Sequence, residues 1–319
     1  MRVVVLGSTG LLGRAVTAEL AAQGHAVLGI SRSGAGCPEA PGSTARALDV
    51  AGARPADLEQ LLAGADVVVH ALGPDDRTRP PAPARSHFQT LLADVTERVA
   101  AAAQRTGVAR LVILGSYFTA VDRLQPDWQL AARHPYIAVR AAQAAQARAA
   151  APTVDVSVVE IPYVLGAVGQ LVPAWTALLL GPLRRSPVGF ALPGGAAAVR
   201  VTEVAYAVRL LAEGRVAAGD HPVASDNLDF RRLTRVALEA LGRRAPVVTV
   251  PRSALAATLR SEGWLLARRG LDSGLDLLHL PDLLCHNTFL DLTEVESTFG
   301  IHGQPIDDEI RTTVRTAYR

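Results

Sequence analysis

The sequence predicts an α/β chain, with a doubly wound parallel sheet in its first half and a smaller C-terminal lobe after it. Three observations carry this. Short runs rich in Val, Ile and Leu alternate with segments whose apolar residues recur at helical spacing. The short runs are apolar throughout, as strands buried on both faces are, and strand–helix alternation implies parallel pairing. After about Gly166 this rhythm gives way to a Pro/Gly-rich stretch up to Gly195, then to mixed short elements. The expected division is residues 1–165 for the sheet domain and 166–319 for the lobe, with some lobe elements returning to the main sheet.

Taken in order, the strands fall at 2–6, 26–30, 45–48, 66–71, 110–114 and 154–161. Each is bounded by Gly, Pro or polar residues. Helical spacing covers 11–23, 56–62, 86–106 and 136–150. Residues 74–83 (PDDRTRPPAP) read as a surface loop that Pro80-Pro81 keeps out of helix. In the lobe, strands are expected at 198–201 and 247–250, and helices at 204–213 and 230–241. The uncharged stretch 166–183 approaches the length of a membrane span. Gln170, Pro173, Gly181 and Pro182 interrupt it, which favours a buried segment or substrate lid.

Between the first strand and the first helix stands Gly7-Ser8-Thr9-Gly10-Leu11-Leu12-Gly13. A glycine-rich turn there makes the sheet Rossmann-type. The helix N-terminus offers unpaired N–H groups and partial positive charge to a pyrophosphate. Gly7 permits the tight exit, Gly10 the approach of a phosphate, and Gly13 close packing of the helix. An NAD-preferring site places an acid at the end of the second strand, about 20 residues on, to hold the ribose 2′-hydroxyl. This chain has Ser31-Arg32-Ser33 there, and a guanidinium pairs with a 2′-phosphate, so the expected cofactor is NADP(H). Asp49 and Val50 follow the third strand, beside the expected adenine. Ala71-Leu72-Gly73 ends the fourth and lets the chain run close to the cofactor.

Composition limits the alternatives. With 49% apolar and 19% charged residues the 319-residue chain has material for a large core. A net charge of +2 with scattered arginines gives no nucleic-acid groove. Cys37 and Cys285 form no metal-ligand or CxxC pattern, so no metal site is expected and both read as free thiols. The run after Arg2 is too short for a signal peptide, giving a cytoplasmic expectation with no membrane partner. All 32 basic residues are arginine, as the codon bias of a high-GC genome produces.

The ordered series GSTGLLG (7–13), VVVHALG (67–73), GVARLVILGS (107–116), HPYIAVR (134–140), PYVLG (162–166) and VRVTEVA (199–205) resembles the extended, epimerase-like branch of the short-chain dehydrogenases/reductases. The resemblance spans most of the chain. It implies a catalytic set of Ser116, Tyr136 and, in the position where the family has lysine, Arg140. In the family the tyrosine is the general acid/base, and the lysine stabilises its phenolate and holds the nicotinamide ribose. The resemblance therefore places Tyr136 and Arg140 at the cofactor too, and passes Pro162-Tyr163-Val164 beside the nicotinamide ring. Arg140 stands one helical turn from Tyr136 and can supply charge, but not a relayed proton. Ser116 and Tyr136 are 20 residues apart, a slightly trimmed spacing. Tyr117 and Tyr163 are rival phenols, more simply read as pocket walls. His134 reads as a capping or surface residue, and Asp75 and Asp76 as a solvated turn that could also rim the site.

The resulting expectation is an NADP(H)-dependent oxidoreductase reducing a ketone on a small, largely apolar metabolite, in secondary metabolism by analogy. The apolar 166–183 stretch and Trp128 and Trp175 suit such a substrate better than a diphosphate. A nucleotide-sugar epimerase and a non-catalytic NADP-sensing regulator stay open. So does a homodimer, packed through the alanine-rich 99–103 and 138–150 segments.

Overall fold

The computed structural model describes residues 1–318. Strands β1 (Arg2–Leu6), β2 (Ala26–Ser31), β3 (Thr44–Ala47), β4 (Val67–His70), β5 (Arg110–Leu114) and β6 (Asp155–Glu160) follow the expected alternation with helices. The rest of the chain adds β7 (Tyr163–Leu165), β8 (Gly189–Ala191), β9 (Gly195–Arg200), β10 (Asp220–Pro222), β11 (Asp226–Asp229), β12 (Val247–Thr249) and β13 (Asn287–Thr288). The main sheet has seven strands in the order β3-β2-β1-β4-β5-β6-β10, and every neighbouring pair is parallel. Strand order reverses between β1 and β4, which opens a crevice at their carboxyl ends where ligands of such sheets bind.

Both faces of the sheet are buried, which is why its strands lack polar alternation. Val3, Val5, Val67, Val69 and Val112 point into one core. Val4, Leu6, Val68, Leu111 and Ile113 point into the other. The lobe builds its own small sheet, β11-β9-β13 with β7 beside β9, and a second pair, β8 with β12. Because β7 follows β6 after only Ile161-Pro162, the crossover sits directly at the carboxyl edge of the main sheet. Strand β10 and the helix Val201–Ala212 return to the main body. Arg209 of that helix ties Glu19 (2.7 Å) and Glu213 (3.0 Å) together.

Some elements differ from the sequence reading. The expected 86–106 helix is Ala84–Phe88, a π-helical segment Gln89–Asp94, and Val95–Thr106. Apolar spacing cannot reveal such a widened turn. Here Thr96 Oγ1 donates to Leu92 O (2.7 Å), and Leu92 fills the space that Gly73 leaves. The 166–183 stretch contains most of the helix Trp175–Arg185. No helix among the described residues is long and apolar enough to cross a membrane. The helices Arg252–Arg268, Leu292–Phe299 and Asp307–Ala317 had no counterpart in the sequence reading.

The glycine turn is packed against backbone. Gly7 has φ 88°, and a Cβ there would stand 2.5 Å from Ala71 O. A Cβ on Gly13 would stand 2.0 Å from Gly7 O, and that carbonyl cannot move without shifting the turn. Gly13→Ala is expected to destabilise the fold by about 3 kcal/mol. An unchanged denaturation midpoint would refute this packing.

Candidate functional site

Two cavities, of about 470 and 410 Å³, run along the carboxyl ends of the strands and share Gly10, Ala71, Leu72, Gly73 and Pro74. They form one cleft across the strand-order reversal. Its outer half is lined by Gly7, Thr9, Ser31, Arg32, Asp49 and Val50. Its inner half is lined by Leu11, Leu12, Gly13, Ser116, Tyr136, Arg140, Pro162, Tyr163 and Val164.

The turn between the halves fits an anion. The helix Leu11–Ala22 begins at Gly10 with no side-chain cap. Gly7 N and Ser8 N both donate to Ile30 O (2.8 and 3.2 Å), Gly10 N donates to Gly7 O (3.1 Å), and Arg14 N to Gly10 O (2.9 Å). The first-turn N–H groups of Leu11, Leu12 and Gly13 have no acceptor among the described residues, so they are left for a ligand. A Cβ on Gly10 would meet only Gly7 O, at an ordinary 3.5 Å. The protein itself therefore tolerates a side chain at position 10. In the outer half, exposed Arg32 has no carboxylate partner among the described residues.

Two residues of the expected cofactor set do not line the cleft. Ser8 is buried, and its Oγ occupies the space above Gly29 of β2, so it packs the turn onto the sheet. Ser33 braces the loop after β2. Its Oγ lies 3.4 Å from Ser31 Oγ and accepts from Ala35 N (3.3 Å).

In the inner half, Pro135 opens the helix Pro135–Ala150, and its first turn carries Tyr136. Arg140 Nε donates to Tyr136 Oη (3.0 Å), with the guanidinium 5.2 Å from the ring centre. Arg140 Nη1 donates to Leu114 O (3.2 Å) and Gln143 Oε1 (2.9 Å). Gln143 Nε2 donates to Thr96 Oγ1 (2.7 Å), which lies 3.4 Å from His70 Nε2. Arginine is thus one link in a buried polar chain. The sequence reading missed Gln143 and Thr96. The available signal was Gln143 at i+3 from Arg140, on the same helix face.

Burial raises the Tyr136 pKa above its ordinary value, and the Arg140 charge and hydrogen bond partly offset that. Burial, then the Arg140 charge, pushes fully buried His70 down to about 4, so it is neutral. Ser116 follows β5, and its Oγ accepts from Phe118 N (3.4 Å). Its carbonyl accepts from Thr119 Oγ1 (2.7 Å). That hydroxyl oxygen is also within hydrogen-bond reach of buried Glu160, which Arg123 holds at 2.8 and 2.6 Å.

The rival groups are occupied or displaced. Tyr117 Oη lies 3.1 Å from Thr288 Oγ1, and burial raises its pKa too. Tyr163 lies under Arg77, whose guanidinium is 5.7 Å from the ring centre. His134 Nδ1 accepts from Asp276 N (3.0 Å), and the residue borders a separate cavity of about 210 Å³ with Trp128. Burial pushes His134 to about 4. Trp175 does wall the inner half, with its indole N–H on Val164 O (2.8 Å). The 74–83 segment reads as a surface loop whose Asp75 and Asp76 could also rim the site, and the second alternative describes their place. Asp75, Asp76 and Arg77 line the cleft, and burial raises the Asp76 pKa.

A third cavity, about 370 Å³, adjoins the inner half and shares Asp76, Arg77, Phe118, Tyr163 and Trp175 with it. Its walls include Leu178, Leu179, Leu183, Phe190, Leu275 and Leu280.

A parallel sheet with a glycine turn, an uncapped helix and a two-part cleft defines a dinucleotide-binding protein. Residues 7–164 match the family described as NAD(P)H-binding. Over its whole length the chain has the fold of the extended, epimerase-like short-chain dehydrogenases/reductases. It aligns with the Bordetella bronchiseptica enzyme WbmH in complex with NAD+ (TM-score 0.68, 17% identity, 99% of this chain and 97% of the other). It aligns likewise with UDP-glucose 4-epimerase from Bifidobacterium longum in complex with NAD+ and UDP (TM-score 0.69, 12% identity, 99% and 98%). Among curated sequences, the uncharacterized protein Rv2047c of Mycobacterium tuberculosis is 33% identical over 146 residues. That match covers 44% of this chain and only 15% of the length of its relative.

Proposed function

We propose that this chain is an NADP(H)-dependent reductase of a ketone on a small, largely apolar metabolite. The carrying observation is the leucine-rich chamber opening onto the half of the cleft that holds Tyr136 and Ser116. Its charged lining residues are Asp76, Arg77 and Arg79. Both arginines are already paired, Arg77 with Asp75 and Asp76 (3.4 and 3.2 Å) and Arg79 with Glu262 (3.0 Å). A nucleotide-sugar diphosphate needs free cationic or N–H donors, so an uncharged substrate fits this chamber better than the epimerase alternative.

The bound cofactor supplies the hydride; the chain supplies the rest. The chamber walls hold the apolar part of the substrate and exclude water. Ser116 Oγ donates a hydrogen bond to the carbonyl oxygen and orients it. Tyr136 Oη gives that oxygen its proton as negative charge develops. Arg140 Nε, on the phenol oxygen, then stabilises the phenolate. Arginine does not pass a proton on, so Tyr136 is reprotonated from solvent through the cleft.

Cofactor choice rests on Arg32. NADPH is expected to bind tighter than NADH by about tenfold or more, on the scale of one charge-assisted bidentate pair. Arg32→Glu is expected to reverse the preference. Equal binding of both cofactors by the unaltered protein, measured by fluorescence titration, would sink the NADP(H) assignment. A panel of apolar ketones and nucleotide sugars, followed by nicotinamide absorbance and by product identification, tests the reaction itself.

A further inference from the structure

The chamber is apolar, yet two of its polar atoms have no partner among the described residues. Thr234 Oγ1 donates to Phe190 O (3.0 Å), and Arg79 is held by Glu262 and by Arg77 O. Ser273 is different. It is 4% exposed, lines the chamber, and its Oγ makes no hydrogen bond. Asp76 is the other. Arg77 Nη1 reaches its Oδ1 at 3.2 Å, and its Oδ2 has no partner among the described residues. Ser273 Oγ is a buried orphan, and buried polar atoms are paired as a rule; Asp76, whose side chain is 19% exposed, keeps one carboxylate oxygen free at the same cavity, and together they point to a ligand that pairs them.

Charge fixes what kind of ligand group this is. Asp75 and Asp76 present two carboxylates to a single guanidinium, that of Arg77. Arg79 does not offset the surplus because Glu262 already takes it. The surplus negative charge favours a hydrogen-bond donor and repels an anion or a bare carbonyl oxygen.

Both residues are held at fixed places relative to the reacting groups. Asp76 borders both the chamber and the inner cleft. Ser273 N donates to Asp272 Oδ1 (2.7 Å), and the next carbonyl, Gly274 O, accepts from Tyr136 N (2.8 Å). A Cβ on Gly274 would stand 2.5 Å from the Phe88 ring and 3.0 Å from Tyr136 Cβ, so this strap is pressed onto the tyrosine.

We infer that the substrate is an apolar ketone carrying a second, hydrogen-bond-donating group, a hydroxyl or an amine, received by Asp76 with Ser273 as its supporting partner. This rests on the ketoreductase reading above and names its substrate class.

The test uses the whole chain and a matched set of naphthyl ketones. One is the parent, and the others bear a hydroxyl, a primary amine or a methyl ether at each ring position. Initial rates are measured with NADPH, and binding to the NADP+-loaded protein is measured by calorimetry. The best hydroxyl or amine compound is expected to exceed the parent and its methyl ether by about 10- to 100-fold, in kcat/KM and in Kd. The hydroxyl and amine arms separate hydrogen bonding from charge attraction. Asp76→Asn should collapse that ratio toward one, and Ser273→Ala should reduce it less. A ratio near one in the unaltered protein, or an unchanged ratio in both variants, overturns the inference. If Asp76→Asn fails to fold, the unaltered protein and Ser273→Ala still decide. Discrimination in binding without turnover upholds the inference and sinks the ketoreductase reading. Turnover without discrimination does the reverse. If no compound binds or reacts, both fall.

Discussion

Tyr136→Phe is expected to lower carbonyl reduction by about 10²- to 10⁴-fold, the usual contribution of a positioned general acid. The substitution removes one oxygen and keeps the ring, which packs edge-on against Phe88 at 5.2 Å. Folding and cofactor affinity should therefore change little, because the glycine turn and Arg32 lie elsewhere in the cleft. The pH dependence follows from the direction of the tyrosine shift. Reduction uses the protonated phenol, which predominates below its pKa, and burial holds that pKa above the ordinary ~10. Reduction should stay flat through neutral pH and fall only in strong alkali. The reverse oxidation uses the phenolate and should rise with pH. Full turnover by the phenylalanine variant would remove Tyr136 from the chemistry and return attention to Tyr163, the other phenol in the inner half without a side-chain hydroxyl partner.

The fold was legible because local and global signals agree in its first half. The valine runs of β1 and β4, the turn at residues 7–13 and the absence of polar alternation all describe one buried parallel sheet. Ser116, Tyr136 and Arg140 came only through the resemblance; all three line the inner cleft, Tyr136 and Arg140 one helical turn apart and Ser116 just after β5. What escaped was whatever depends on tertiary contact. Residues 74–83 look solvated by composition, yet Asp76 and Arg77 turn inward because the lobe covers them. His134 stands at the N-cap position of a helix but its side chain makes no capping hydrogen bond; its ring accepts from Asp276 N, 142 residues away. Ser8 belongs to the glycine turn in sequence and to sheet packing in space.

Arg140→Leu should be nearly as damaging as loss of the phenol, about 10²-fold or more in kcat/KM. In the proposed mechanism it withdraws the charge that stabilises the phenolate, and it takes the Arg140 donor from Leu114 O and Gln143 Oε1. Arg140→Lys is the finer comparison. The guanidinium serves Tyr136 Oη through Nε and two more acceptors through Nη1 at the same time. A lysine ammonium presents its donors from one point and cannot span both directions. It should keep the charge, lose the link to Gln143 and Thr96, and react about tenfold slower than the unaltered protein. The Gln143 amide would then have to turn or seek water, so the denaturation midpoint should fall as well. A lysine variant as fast as the arginine protein, with an unchanged midpoint, would mean that the buried chain from Tyr136 to His70 does not depend on a guanidinium. The arginine would then be a substitution that the site merely tolerates, and the phenolate would need only the positive charge.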